Sequence, residues 1–284
     1  MHRPMTSTFR QRFLNRAWYR EVLAGALIAG SISVGCGGGL DPELVKRSRS
    51  QYELAVGLHA EGNTPGAFQA LHKAISLDPH NSKAYLFLGT LYLLIRDDDR
   101  GKHDKKAEKN FRQVIKIQSS EHAPRENLAA EARNKLGVLY VHQKRYRDAA
   151  QVLEKAVSDL YNANVYLAWG NLGWVYGKME KYDKAIHALG RSIQLQPRFC
   201  VGYYRLGEVY TRIPQLEKAE SALTRAVEAD ERCELMQEAW QLRGEVRAKM
   251  GEREAAIDDL ERCVELNPDS EAGRSCSRLL ESAN

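Results

Sequence analysis

The sequence offers almost nothing that active-site chemistry requires. No zinc-type CxxC pair, HExxH, Walker loop or GxSxG occurs in its 284 residues, so a reading as an enzyme or as a metal or cofactor protein has no motif to rest on. The one crowd of potential metal ligands, Asp97, Asp98, Asp99, His103 and Asp104, lacks the glycine and closing glutamate of a calcium loop and reads as a solvated insertion. Cysteine is sparse, five in all, and never spaced as a redox CxxC, which argues against a thiol exchanger. Long apolar runs are missing too: the longest, VLAGALIAGSISVG from Val22 to Gly35, has about 14 residues where a bilayer span needs roughly 20. Net charge is also low once its location is considered. Of the formal +5, Arg3, Arg10, Arg12, Arg16 and Arg20 against Glu21 account for +4. The +1 left on residues 36–284 is too little for the broad field that phosphate binding needs, and a nucleic-acid partner is not expected.

What is present begins with the N-terminus. An Arg-rich stretch to Arg20, the apolar run and small residues before Cys36 follow the order of a secretory signal, so residues 1–35 are expected to be a signal peptide. Ser33-Val34-Gly35-Cys36 resembles the lipobox of bacterial lipoproteins, with Ser33 where that box usually has Leu. The resemblance implies acylation of Cys36 and, with Gly37 following, export to the periplasmic face of the outer membrane. Each acyl methylene adds about 0.8 kcal/mol of membrane binding, so two or three chains anchor a protein durably. Residues 36–47, with three glycines after Cys36, then read as a tether.

The full sequence is 43% hydrophobic and 28% charged, enough to bury a sizeable core. It is also repetitive. Leu172-Gly173-x-x-Tyr176, Ala185, Leu189 and Pro197 recur 34 residues later as Leu206-Gly207-x-x-Tyr210, Ala219, Leu223 and Ala226. That register is the tetratricopeptide pattern. It extends to six repeats at about 48–81, 82–121, 130–163, 166–199, 200–233 and 237–270, with 271–284 as a cap helix. The expected fold is an all-α superhelical solenoid over 48–284, each repeat contributing a helix A and a helix B. In repeat two the second helix arrives late, and Arg96–Asp104 is expected to be a loop. In repeat six Arg243 and Arg247 replace the usual Leu and Tyr, polar substitutions that suit a terminal repeat, and 271–282 reads as the solvating cap helix.

Solenoids of this kind bind peptides along an inner face lined by their A helices. The A-helix positions outside the core place Tyr52, Val56, Leu86, Leu93, Val138, Val141, Trp174 and Tyr204 there, an apolar stripe through repeats one to five; repeat six has Glu238, Gln241 and Glu245 instead. The same side chains would equally serve as core packing. Of the Lys, Arg and Asn side chains that a clamp for an acidic C-terminus needs, only Asn134 and Lys178 are read on that face, too few to form one. Recognition of an apolar or amphipathic segment is expected.

Cys200, Cys233, Cys263 and Cys276 are an even set in a chain expected to be exported, so disulfides are expected. An antiparallel hairpin brings Cys200, at the start of one helix A, to the same end as Cys233 after its helix B. Cys263 and Cys276 would join the last helix B to the cap. Four buried thiols is the other reading.

A lipobox followed by about six such repeats, with the runs YLAWGNLGWVYGKMEKYDKA (Tyr166 to Ala185) and PRFCVGY (Pro197 to Tyr203), resembles the pilotin lipoproteins of type IV pili, especially those of social gliding motility. The resemblance implies a monomeric, non-enzymatic protein that binds secretin subunits and promotes their insertion and multimerisation in the outer membrane. A general lipoprotein adaptor for cell-wall hydrolases or outer-membrane assembly would share every repeat feature.

Overall fold

In the computed structural model, which describes residues 40–95, 100–120 and 128–283, helices follow one another in antiparallel pairs with no strand among the described residues. The signal segment, Cys36 with its glycines, Arg96–Asp99 and Asn284 lie outside the described residues. Leu40–Asn284 forms one compact unit. The pairs are α1 (Pro42–Ala60) with α2 (Thr64–Leu77), α3 (Ser82–Leu94) with α4 (Arg100–Gln118), and α5 (Leu128–His142) with α6 (Tyr146–Val157). They continue as α7 (Val165–Lys178) with α8 (Tyr182–Leu195), α9 (Cys200–Arg212) with α10 (Leu216–Glu228), and α11 (Gln237–Met250) with α12 (Arg253–Leu266). A short 3-10 turn, Glu231–Leu235, follows α10, and α13 (Glu271–Ala283) packs on α12 and α11.

Glycine sets the closeness of each pair. A Cβ on Gly137, Gly173 or Gly207 would lie 2.6, 2.5 or 2.6 Å from Cγ of Leu153, Leu189 or Leu223 in the partner helix. No side chain fits there, which is why glycine persists mid-helix despite a cost of about 1 kcal/mol against alanine. The turn between the two helices has its own rule. Its fifteenth repeat position adopts positive φ in four repeats, at Gly62 (81°), Lys144 (58°), Glu180 (58°) and Gly251 (83°). Repeat five has Pro214 there; the pyrrolidine ring fixes φ near −65°, so that turn takes another path.

Each helix B packs on the next helix A, and successive A helices also touch: α3 with α5, α5 with α7, α7 with α9, and α9 with α11. The A helices therefore line the inner face, and a continuous core of leucine, alanine and tyrosine runs between the layers. Polar locks join successive repeats. The phenol of Tyr140 on α5 donates to Glu108 Oε1 on α4 at 2.7 Å, and that of Tyr176 on α7 donates to Glu154 Oε1 on α6 at 2.7 Å. Burial and these carboxylates push both phenols up to about 12. Burial alone would raise Glu108, but bonds from Tyr140 and Arg112 and the charge of Arg145 hold it below the usual carboxylate range.

Three regions differ from expectation. Residues 42–47, read as tether, are the first turns of α1, started by the Asp41 carboxylate accepting from the Glu43 amide at 2.9 Å and by Pro42 in the first turn. Residues 100–104, read as loop, belong to α4, where the His103 ring stacks on Tyr92 with centroids 5.8 Å apart. Arg243 and Arg247, read as polar substitutions suited to a terminal repeat, are buried or partly buried. Arg243, only 5% exposed, reaches the equally buried Asp259 through Nη2 at 2.6 Å and Nε at 2.9 Å. Arg247 donates to Asp259 at 3.0 Å and to Glu220 on α10 at 2.8 Å. Arg243, through Thr224 Oγ1, and Arg247, through Glu220, keep contact with α10 of the preceding repeat, and Asp259 on α12 supplies the carboxylate that an apolar pair would not need.

Candidate partner groove

The stripe of eight candidate side chains divides in two. Val56 is 43% exposed on α1, and Tyr52, Leu93, Val138, Trp174 and Tyr204 are half-buried with part of their surface open. Leu86 and Val141, by contrast, are 7% and 6% exposed and belong to the core. The direct packing of α3 on α5 accounts for this: where A helices touch, positions that would face a partner close over one another. Neither residue is available to a ligand. At the N-terminal end an aromatic group forms instead, with Phe87 of α3 edge-on to Tyr52 at 6.3 Å and to His59 at 5.5 Å.

The middle of the face is polar, where the sequence reading had a continuous apolar stripe. Asn171 Nδ2 on α7 donates to Asn134 Oδ1 on α5 at 2.8 Å, and Arg205 Nη1 on α9 donates to Asn171 Oδ1 at 2.9 Å. The Arg205 guanidinium lies over the Trp174 ring, 4.6 Å from its centroid. A cavity of about 200 Å³ opens beside it, lined by Trp174, Lys178, Arg205, Glu208, Arg212 and the turn residue Glu180 among others. Burial lowers the Arg205 guanidinium to about 10 although Glu208 opposes this, and burial raises the Glu208 carboxyl against the pull of Lys178, Arg205 and Arg212. Sequence reasoning found Asn134 and Lys178 but missed Asn171 and Arg205. Their signal was their spacing: they occupy the same position in successive repeats, one period apart.

Beyond Tyr204 the face turns acidic and amide-rich. Burial, with Glu208, Glu238 and Glu245 nearby, pushes the Tyr204 phenol up. Gln241 on α11 donates to Glu245 at 2.9 Å and to Ser275 of α13 at 3.2 Å, so the cap helix closes this end. The face therefore presents, in order, aromatic and aliphatic surface, an amide and guanidinium ladder, and carboxylates. Such an order can seat an extended or amphipathic segment in one direction. No group of three or more metal-ligating side chains occurs among the described residues.

The cysteines lie on the other side of the question, in the scaffold. Cys200, the first residue of α9, is bonded to Cys233 in the 3-10 turn, and Cys263 of α12 to Cys276 of α13. The hairpin geometry of the repeat brings each pair together.

Known proteins share this architecture. Tetratricopeptide-repeat models match residues 105–165, 166–199, 202–233 and 237–270, more than half of the chain together. The chain belongs to the tetratricopeptide-repeat proteins. Among solved structures it is similar to PilW, described as a widely conserved type IV pilus biogenesis factor, with TM-score 0.65 and 22% identity over 80% of this chain and 97% of that one. It is similar to Pseudomonas aeruginosa pilF with TM-score 0.65 and 19% identity, over 84% and 99%. A chain of the APC/C hetero-tetramer Cut9–Hcn1 matches at TM-score 0.66 and 14% identity, over 85% of this chain but 44% of that one. No curated protein sequence matches the chain.

Proposed function

We propose that this chain is an outer-membrane lipoprotein pilotin. It binds secretin subunits through its inner face and promotes their targeting and assembly for type IV pilus biogenesis and social gliding motility. The observation that carries the reading is one of extent. The likeness to PilW and pilF takes in 97% and 99% of those chains and 80% and 84% of this one, so it runs along most of the solenoid and not merely along one repeat unit. The order of the N-terminus supports it: an acyl chain on Cys36 would confine the groove to one membrane surface and raise its effective concentration toward a membrane-bound client. Two disulfides fit an oxidising compartment such as the periplasm. The role is scaffolding without catalysis.

The test is metabolic labelling with a fatty acid, combined with a denaturing gel of secretin oligomers. Wild type is expected to take up label and yield oligomers, Cys36→Ser to lose both, and Trp174→Asp to keep label and lose oligomers. Unchanged oligomers in both variants would refute the proposal. Leu86→Asp does not serve as a probe, because it places a charge in the core.

A further inference from the structure

The outer side of the solenoid, built from the B helices, changes charge along its length. Counting Lys and Arg against Asp and Glu, α2 and α4 carry +1 and +5, α6 and α8 carry 0 and +1, and α10 and α12 carry −1 and −3. Within α4 the cations are not spread evenly. Lys105, Lys109, Arg112 and Lys116 follow one another three or four residues apart and are all exposed, so they stand in one line about 16 Å long. A shallow cavity of about 460 Å³ opens along that line, with Glu108 and Gln113 as its other lining side chains. Glu108 is already occupied by Arg112, Arg145 and Tyr140. The three lysines make no ion pair among the described residues. Like charges at these spacings repel and weaken the free helix, whereas a merely solvated face is better served by alternating signs.

We propose that the outer face of α4 docks on the anionic headgroups of a lipid bilayer, whose phosphates pair with the line of Lys105, Lys109, Arg112 and Lys116. The choice of a lipid surface rests on the membrane anchor in the proposed function. Five residues separate Cys36 from Pro42, a reach of at most about 20 Å, so acylation would keep the first repeats beside a bilayer. A basic patch adds to an acyl chain as a second membrane signal. The shape agrees, since a convex helix meets a plane along one line, and the cations form that line. No aromatic side chain interleaves them to stack on bases, which sets nucleic acid aside. Docking by α4 turns the inner face, lined by the A helices, away from the lipid. Repulsion of the acidic α10 and α12 from the same surface favours this orientation over others.

The test is acetylation footprinting of the full, disulfide-intact chain on vesicles of phosphatidylcholine alone or mixed with phosphatidylglycerol, with the exposed Lys249 on α11 as reference. Lys105, Lys109 and Lys116 are expected to lose reactivity on the anionic vesicles only and to regain it at high salt, while Lys249 stays unchanged. Replacing all three, Lys105→Gln, Lys109→Gln and Lys116→Gln, should weaken binding to anionic vesicles about hundredfold, about fivefold for each lysine. Binding to neutral vesicles should not change, and the N-terminus, common to both chains, cancels in the ratio. The Tm of this variant should be no lower than wild type, because only exposed, mutually repelling charges are removed. Equal acetylation of the α4 lysines on both vesicle types, or equal binding of wild type and folded variant to anionic vesicles, overturns the proposal. So does protection found in cell membranes but not on protein-free vesicles, which would assign the line to an acidic protein. Protection on anionic vesicles, in a chain whose Cys36 takes up no fatty acid in cells, would leave the docking face standing and remove the lipoprotein reading. Label on Cys36 with unprotected α4 lysines would do the reverse.

Discussion

Asp259 sits 2% exposed between two guanidinium groups, so Asp259→Ala would leave Arg243 charged, enclosed and unanswered. Breaking such a pair costs about 3–5 kcal/mol, and chemical denaturation should show a loss of that size; a loss below about 1 kcal/mol would mean that water reaches the site. Glycine gives a second residue-scale contrast within one helix pair. Gly173→Ala drives a methyl group against Leu189 and should cost about 1–3 kcal/mol by overpacking. Gly190→Ala on α8 meets nothing within 4 Å and should gain up to about 1 kcal/mol from helix propensity. Thermal melts of the two variants should move in opposite directions. The recurrence of Leu-Gly at one position of successive repeats marks Gly173 in the sequence as a close-contact position that must be small. It did not reveal the pairing of Arg243 with Asp259, because a repeat consensus describes apolar packing and is silent when an ion pair takes over the same contact.

At the scale of elements, the disulfides divide the solenoid. Repeats one to four have no covalent link, whereas Cys200–Cys233 closes the α9–α10 hairpin and Cys263–Cys276 ties the cap to α12. A solenoid is weakest at its ends, where a repeat has one neighbour only, and each bridge adds about 2–4 kcal/mol there. Reduction should therefore raise amide hydrogen exchange in α9 to α13 while α3 to α7 keep their protection. Uniform loss across the chain would show instead that the repeats melt as one unit. Element boundaries were legible where a cap or a turn residue announces them, as in the glycines at 62 and 251. They were not legible at Arg100–Asp104, whose charged residues suit a solvated helix as well as a loop; the helical extension is set by stacking on Tyr92, a contact between elements.

For the whole molecule, the order of surfaces along the inner face carries the functional argument. The helical solenoid was readable from periodicity alone, since a 34-residue register dictates a fold of stacked hairpins. The groove was readable only in part. Position in a repeat says which side chains point inward, and five of the eight candidates, Tyr52, Leu93, Val138, Trp174 and Tyr204, are half-buried with surface remaining, while Val56 is more open still. Whether an inward side chain meets a ligand or the adjacent helix depends on superhelical curvature, which set Leu86 and Val141 into the core and aligned Asn134, Asn171 and Arg205 into a ladder. The central claim, that this face captures secretin subunits at the outer membrane, is tested most directly by photocrosslinking in intact cells. A crosslinking residue would replace Val56 or Trp174 on the inner face, or the exposed Lys109 on α4. Secretin adducts from the two inner positions and none from Lys109 are predicted; adducts lacking secretin, or equal secretin adducts from Lys109, would contradict it.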